Sequence, residues 1–211
     1  MNRPHPTLPS SAPVWLPMLA MLAVLFLRVA GQHHWVSGWP NLSPLMALAF
    51  TGTLVFPKPL PWWSWALILL GVDAVSTGGS WWNSVGDRPQ VLLAYGCYAL
   101  AAFVAGRIRR DASVLEAIGG TFAFAVLFYL VTNTVSWWSE PAYAKTVAGW
   151  VQALTIGNPA FRPTTLEFFR NSLAADLLGS FVLVLLYNGE ALVRQLAVLP
   201  WSARRQVVAA A

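Results

Sequence analysis

The chain has 211 residues, of which 57% are hydrophobic and 10% charged, and carries a net charge of +5. Soluble domains average about 25% charged residues, so this composition excludes an ordinary soluble fold and points to one membrane domain. The positive charge does not mark a nucleic-acid binder, because the basic residues stand singly or in small groups between apolar runs, without a basic-aromatic stripe.

Residues 1–13 are polar and proline-rich and read as a disordered cytoplasmic tail. The apolar run Val14–Ala30, which carries Arg28, resembles a signal-peptide core in length. No small-x-small cleavage site follows it and five more apolar segments do, so it reads as a first transmembrane helix. The loop Gly31–Asn41 holds His33 and His34. Neighbouring side chains point to different sides of a helix or strand, so a shared metal there would need unusual backbone geometry and no metal site is expected.

Leu42–Phe56 reads as a short second span that opens with Ser43-Pro44, a proline suited to a first helical turn. Trp62–Thr77 is the third span, with Asp73 near its end, and Gln90–Gly106 the fourth. In the fourth, Ala101-x-x-x-Ala105 and Ala102-x-x-x-Gly106 form a face of small residues for close helix packing, inside the bundle or against a partner. The single Cys97 lies in this run, so a disulfide framework is excluded.

Arg107–Arg110 is a basic turn, and Ile118–Val135 the fifth span. Between Glu140 and Arg170, apolar residues from Tyr143 to Leu154 recur every three to four positions, which predicts an amphipathic helix at the membrane interface. Asn171–Tyr187 is the sixth span, and 189–211 an amphipathic cytoplasmic tail. The expected fold is therefore all-α, a transmembrane domain over 14–188 with six helices and an external interfacial helix between the last two. The twelve tryptophans suit the interfacial belts of such a domain.

Charge placement sets the orientation. With the N-terminus inside, Arg3, Lys58, Arg107, Arg109, Arg110, Arg194, Arg204 and Arg205 are cytoplasmic, against Arg88, Lys145, Arg162 and Arg170 outside. That asymmetry places both termini in the cytoplasm.

Polar groups inside spans are costly unless they face a bundle interior or a wet cavity, which makes them candidates for function. Arg28, Asp73, Asn133, Asn171 and Asp176 all fall in or near the outer halves of spans, and Trp137 stands beside them. A carboxylate there suits a cationic or hydroxylated solute, an amide forms hydrogen bonds in both directions, and a tryptophan stacks on a flat ring. The alternative is a structural ion pair, Arg28 with Asp73 or with Asp176, tying helices together. Catalysis is poorly supported: the histidines are His5, His33 and His34, and no serine-hydrolase, metalloprotease or phosphate-loop motif occurs. No catalytic residue and no cofactor is expected.

Several short motifs run in a fixed order: Asn41-Leu-Ser-Pro44, Asp73, Thr132-Asn133 with Trp137-Trp138, Tyr143-x-x-Thr146, Asn158-Pro159-x-Phe161, and Asn171 followed five on by Asp176. In these the chain resembles a family of small bacterial membrane proteins of unknown function described as candidate transport proteins. That family is similar in outline to the substrate-binding S components of energy-coupling factor (ECF) transporters. The resemblance implies a six-helix protein in the bacterial inner membrane that binds a vitamin-like solute or metal ion from outside. It also implies a partner, a coupling subunit with two ATPases. The chain departs from that pattern in its first helix, where S components often carry Ala-x-x-x-Ala, because Ala20 is followed four on by Val24 and Ala23 by Leu27. A non-transporting membrane scaffold is the alternative function.

Overall fold

The computed structural model describes residues 15–32, 43–77, 88–160 and 163–202. The His33–His34 pair, the Gly78–Asn83 stretch and both chain ends lie outside the described residues. Among the described residues the fold is all-α with seven helices: α1 Trp15–Gln32, α2 Leu45–Val55, α3 Ser64–Thr77, α4 Arg88–Ile108, α5 Val114–Ser139, α6 Val147–Leu154 and α7 Thr165–Val193.

Among the described residues three helices are long and apolar enough to cross a membrane: α5, α7 and the Gln90–Ile108 stretch of α4. Each is apolar round its whole circumference, yet only 22–33% of its most apolar window is buried within the protein. Apolar side chains such as Leu178, Phe181 and Leu185 on α7 therefore point outward, the arrangement of a multi-pass membrane protein. Apolar stretches of α1, α2 and α3 are shorter.

Local sequence explains the helix starts. Ser113 accepts from the Glu116 N–H at 3.3 Å while the Glu116 carboxylate accepts from the Ser113 N–H at 2.8 Å, a reciprocal cap that opens α5. Thr164 and Glu167 repeat the device at α7. Both helices run further than their apolar cores: α7 starts at Thr165 and continues to Val193, so the tail boundary expected at 188 falls inside a helix. Nothing between Tyr187 and Val193 breaks the helix, and the chain turns only at Arg194–Gln195, where Gln195 has φ 57°. Residues 196–200 then run without helix, so the segment expected as an amphipathic tail over 189–211 is helical only as far as Val193 among its described residues.

Helix α2 is the centre of the bundle. It contacts α1, α3, α4, α5 and α7, and its residues Leu45–Val55 are all buried. At about 1.5 Å per residue its 11 residues reach roughly 16 Å, about half of a hydrocarbon core. The second span expected from the sequence is thus a half-length helix, and its middle, Leu48–Gly52, is wound as a π-helix. Glycines on two neighbours let it in. A Cβ on Gly179 of α7 would stand 2.5 Å from Pro44 Cβ, and one on Gly120 of α5 would overlap the Phe50 ring. Thr51 ties the three helices together through Ser180 Oγ at 2.7 Å and Thr121 Oγ1 at 3.0 Å. The small face of α4 also turns inward, with Ala101, Ala102 and Ala105 in the core.

Candidate functional site

Helices α1 to α5 alternate in direction, and α6 and α7 both run back along α5, so the ends of the bundle gather different termini. One end holds the C-termini of α1, α3 and α5 and the N-termini of α2 and α7. A cavity of about 580 Å³ opens there, a size suited to a small organic molecule. Its wall takes Arg28 from α1, Ser43, Leu45 and Met46 from the start of α2, and Tyr98 from α4. Ala125, Phe128, Tyr129, Thr132 and Asn133 come from α5, with Thr165, Phe168, Phe169, Ser172 and Asp176 from α7 after Pro163.

Asp176 is the deepest charge in this wall, 6% exposed. Its Oδ1 accepts from the backbone N–H of Met46 at 2.9 Å and of Ala47 at 3.2 Å. A carboxylate on α7 thus caps the start of α2, which the sequence leaves uncapped, since Pro44 offers no side-chain oxygen. Arg28 forms the ion pair with Asp73 and not with Asp176: Nε to Oδ1 is 2.9 Å and a second guanidinium nitrogen reaches Oδ2 at 3.4 Å. The Tyr95 hydroxyl also donates to Asp73 Oδ2 at 2.7 Å. Asp73 is therefore one step behind the wall and orients Arg28. Asn133 donates its amide N–H to Tyr129 O one turn back at 2.8 Å.

Of the six residues singled out from the sequence, Arg28, Asn133 and Asp176 meet in the wall and Asp73 supports them. Asn171 and Trp137 do not reach it. Five residues on a helix amount to about 140° of rotation, so Asn171 leaves the face that holds Asp176 and is exposed. Trp137 lies a turn beyond Asn133, where its indole N–H donates to Ala144 O at 2.9 Å and helps hold the loop before α6. Trp150 donates to Thr134 Oγ1 at 3.0 Å and pins α6 onto α5.

Aromatic residues that sequence reasoning passed over line the wall in place of the tryptophans. Tyr98 packs on Phe128 with centroids 5.3 Å apart, and Tyr129 on Phe169 at 4.1 Å. Their signal was present. Stepping back from Asn133 by four, five and eight residues gives Tyr129, Phe128 and Ala125, and from Asp176 by four, seven and eleven gives Ser172, Phe169 and Thr165. Extending each polar position along its own helical stripe would have found most of the wall.

A family model described as "Family of unknown function (DUF6580)" matches residues 10–198. The chain belongs to DUF6580. No curated protein and no solved structure matches the chain, so neither the DUF6580 match nor any named homologue links it to ECF S components.

Proposed function

We propose that this DUF6580 protein is a solute-binding membrane protein. It takes a small, vitamin-like solute from the outer face for uptake with a separate energising partner. The observation that carries the reading is the cavity, in which Arg28, Asn133 and Asp176 from three helices share a wall with stacked aromatics. A pocket that is mostly apolar with a few convergent polar groups is the usual form of a small-molecule site.

In this reading α1–α5 and α7 are six membrane segments, α2 being a half-length one buried by the others, and α6 lies at the outer interface. Lys58, Arg107, Arg109, Arg110 and Arg194 all cluster at the end opposite the cavity. The positive-inside rule makes that end cytoplasmic, with both termini there and the cavity facing out. The protein acts as a binder and not as an enzyme, and with no nucleotide-binding motif in the sequence the energy comes from outside the chain. A coupling subunit with ATPases, of the ECF kind, fits that requirement.

The scaffold alternative would use the small-residue face of α4 as a docking surface, and it is less favoured because Ala101, Ala102 and Ala105 of that face are buried in the core. The test is a thermal-shift screen of detergent-purified protein against vitamins, nucleobases, amino acids and divalent ions. A solute at 100 times its Kd stabilises by about 2.7 kcal/mol. The expected result is a hit that disappears in Ser172→Leu, which fills the cavity. No hit across the panel turns the weight to the scaffold.

A further inference from the structure

The charges around the cavity do not balance, and the imbalance selects a class of solute. The wall contains one guanidinium, Arg28, and one carboxylate, Asp176. Arg28 is already neutralised by Asp73, which holds it through two nitrogens from behind. Among the described residues, no Lys, Arg or His pairs with Asp176. Its Oδ1 takes the Met46 and Ala47 N–H groups at the start of α2, and no hydrogen bond to Oδ2 is found among the described residues. A carboxylate this deep that lines an open cavity calls for a partner, and a ligand in the cavity can supply it.

The neighbours of Asp176 narrow the class further. Two aromatic pairs, Tyr98 with Phe128 and Tyr129 with Phe169, line the same space. The ring faces attract a cation and accommodate a flat ring by stacking. Ser43, Thr132 and Ser172 add neutral hydroxyls, so no second full charge of either sign comes from these positions.

We propose that the cavity takes a flat aromatic or heterocyclic solute presenting a cationic or N–H-rich edge to Asp176 Oδ2, and that it discriminates against anions. This rests on the solute-binding reading and specifies its chemistry. Oδ1 holds the α2 cap while Oδ2 receives the ligand, so occupancy of the site and the position of the start of α2 are read by the same carboxylate.

Three ring compounds of nearly one shape provide the test: benzamidine as the cation, benzamide as the neutral donor and benzoate as the anion. Binding to the full-length protein in detergent is followed by thermal shift and by tryptophan fluorescence, up to millimolar concentrations. Charge-assisted hydrogen bonds are roughly twice as strong as neutral ones. Benzamidine is therefore expected to bind at least about tenfold more tightly than benzoate, with benzamide between them.

Asp176→Asn keeps a carbonyl for the two N–H groups of α2 and removes the charge. It should fold, retain benzamide and lose the preference for benzamidine, and Ser172→Leu should weaken all three probes. Benzoate binding as well as benzamidine, in a manner abolished by Ser172→Leu, would overturn the charge selection and leave a solute site standing. A hit from the broad solute panel with none of the three probes binding would likewise overturn this inference alone. Silence from both would overturn it together with the function on which it rests.

Discussion

The two ends of the bundle meet the same problem, but only at one of them does a capping side chain also line an open cavity. At either end, helix termini leave backbone N–H and C=O groups that low-dielectric surroundings do not solvate. The end opposite the cavity closes them with side chains and backbone from other elements. Glu190 of α7 accepts the Trp15 and Leu16 N–H groups at the start of α1, at 3.0 and 2.7 Å, and pairs with Arg194 at 2.8 Å. Arg109 donates to Leu54 O at 3.3 Å and also to Phe56 O where α2 ends. The C-terminal segment, clamped by Asn188 on Leu199, supplies Pro200 O and Trp201 O to the first N–H groups of α5.

Among the described residues the cavity end has its own caps, with Lys145 on Trp137 O and Glu140 O at the end of α5 and Thr155 O on the Leu166 N–H of α7, but at the start of α2 the capping side chain, Asp176, is also part of an open wall. Helix α2 is thus held by a carboxylate at its N-terminus and a guanidinium at its C-terminus, each donated by another element and each matching the sign of the helix dipole. The contrast implies that stability resides at the closed end and solute recognition at the open one. Substitutions of equal severity should then separate into two classes.

Arg109→Leu should have the largest effect on stability. It leaves Leu54 O and Phe56 O without their donor, and an orphaned buried acceptor costs about 1–3 kcal/mol. A loss of roughly 3 kcal/mol is expected in thermal unfolding of the purified protein, with Arg109→Lys recovering part of it. An unchanged melting temperature would show that water reaches these carbonyls and that the closed end is not closed.

Glu190→Leu comes next, at roughly 2 kcal/mol, because two N–H groups and Arg194 lose one acceptor. Glu190→Gln, which can still accept from the backbone, should lose less than half as much. The readout is proteolysis near Trp15 together with the melting temperature, since the start of α1 is what the carboxylate holds. Equal losses for Leu and Gln would mean that the Arg194 ion pair, and not the backbone cap, provides the stabilisation.

Thr51→Val tests the middle of the bundle, between the two regimes. It removes the hydroxyl shared by Ser180 and Thr121 but keeps the shape. Hydrogen bonds between helices within a membrane average about 0.6 kcal/mol, so a loss near 1 kcal/mol is expected. A larger loss would mark the π-helical turn at Leu48–Gly52 as dependent on this hydroxyl cluster.

Much of this division was legible in the sequence. The apolar runs located every long helix, and the costly polar residues pointed to the end with the cavity, because Arg28, Asn133 and Asp176 have no cheap place in a membrane except a cavity or a pair. What stayed hidden depends on rotation and on tertiary partners. Asn171 lies near the same depth as Ser172 but on another face, and depth alone does not separate them. The partner of Arg28 was open between two aspartates until the helices were placed. The short length of α2 was visible, but its need for caps from α7 and the turn after α4 was not, since neither Asp176 nor Arg109 is near it in sequence. The tryptophans were misleading as ligands because an indole N–H bonds equally well to a nearby loop carbonyl, as Trp137 does with Ala144.

Ser172→Leu should have the smallest effect on stability and therefore decides most about the open end. Ser172 is partly exposed to the cavity, and its hydroxyl donates only to Phe169 O of its own helix, at 3.3 Å. No other element loses a partner when it is replaced. Adding apolar volume to an existing cavity relieves emptiness instead of overpacking a filled core, so the change should lie within about 0.5 kcal/mol. Solute binding should nevertheless be lost, since the new side chain enters the space between Asp176 and the Phe169–Tyr129 pair. A variant that is as stable as the parent but no longer binds separates the two ends of the molecule experimentally. If instead Ser172→Leu unfolds the protein as severely as Arg109→Leu, the cavity wall is part of the structural core and the contrast between the ends fails.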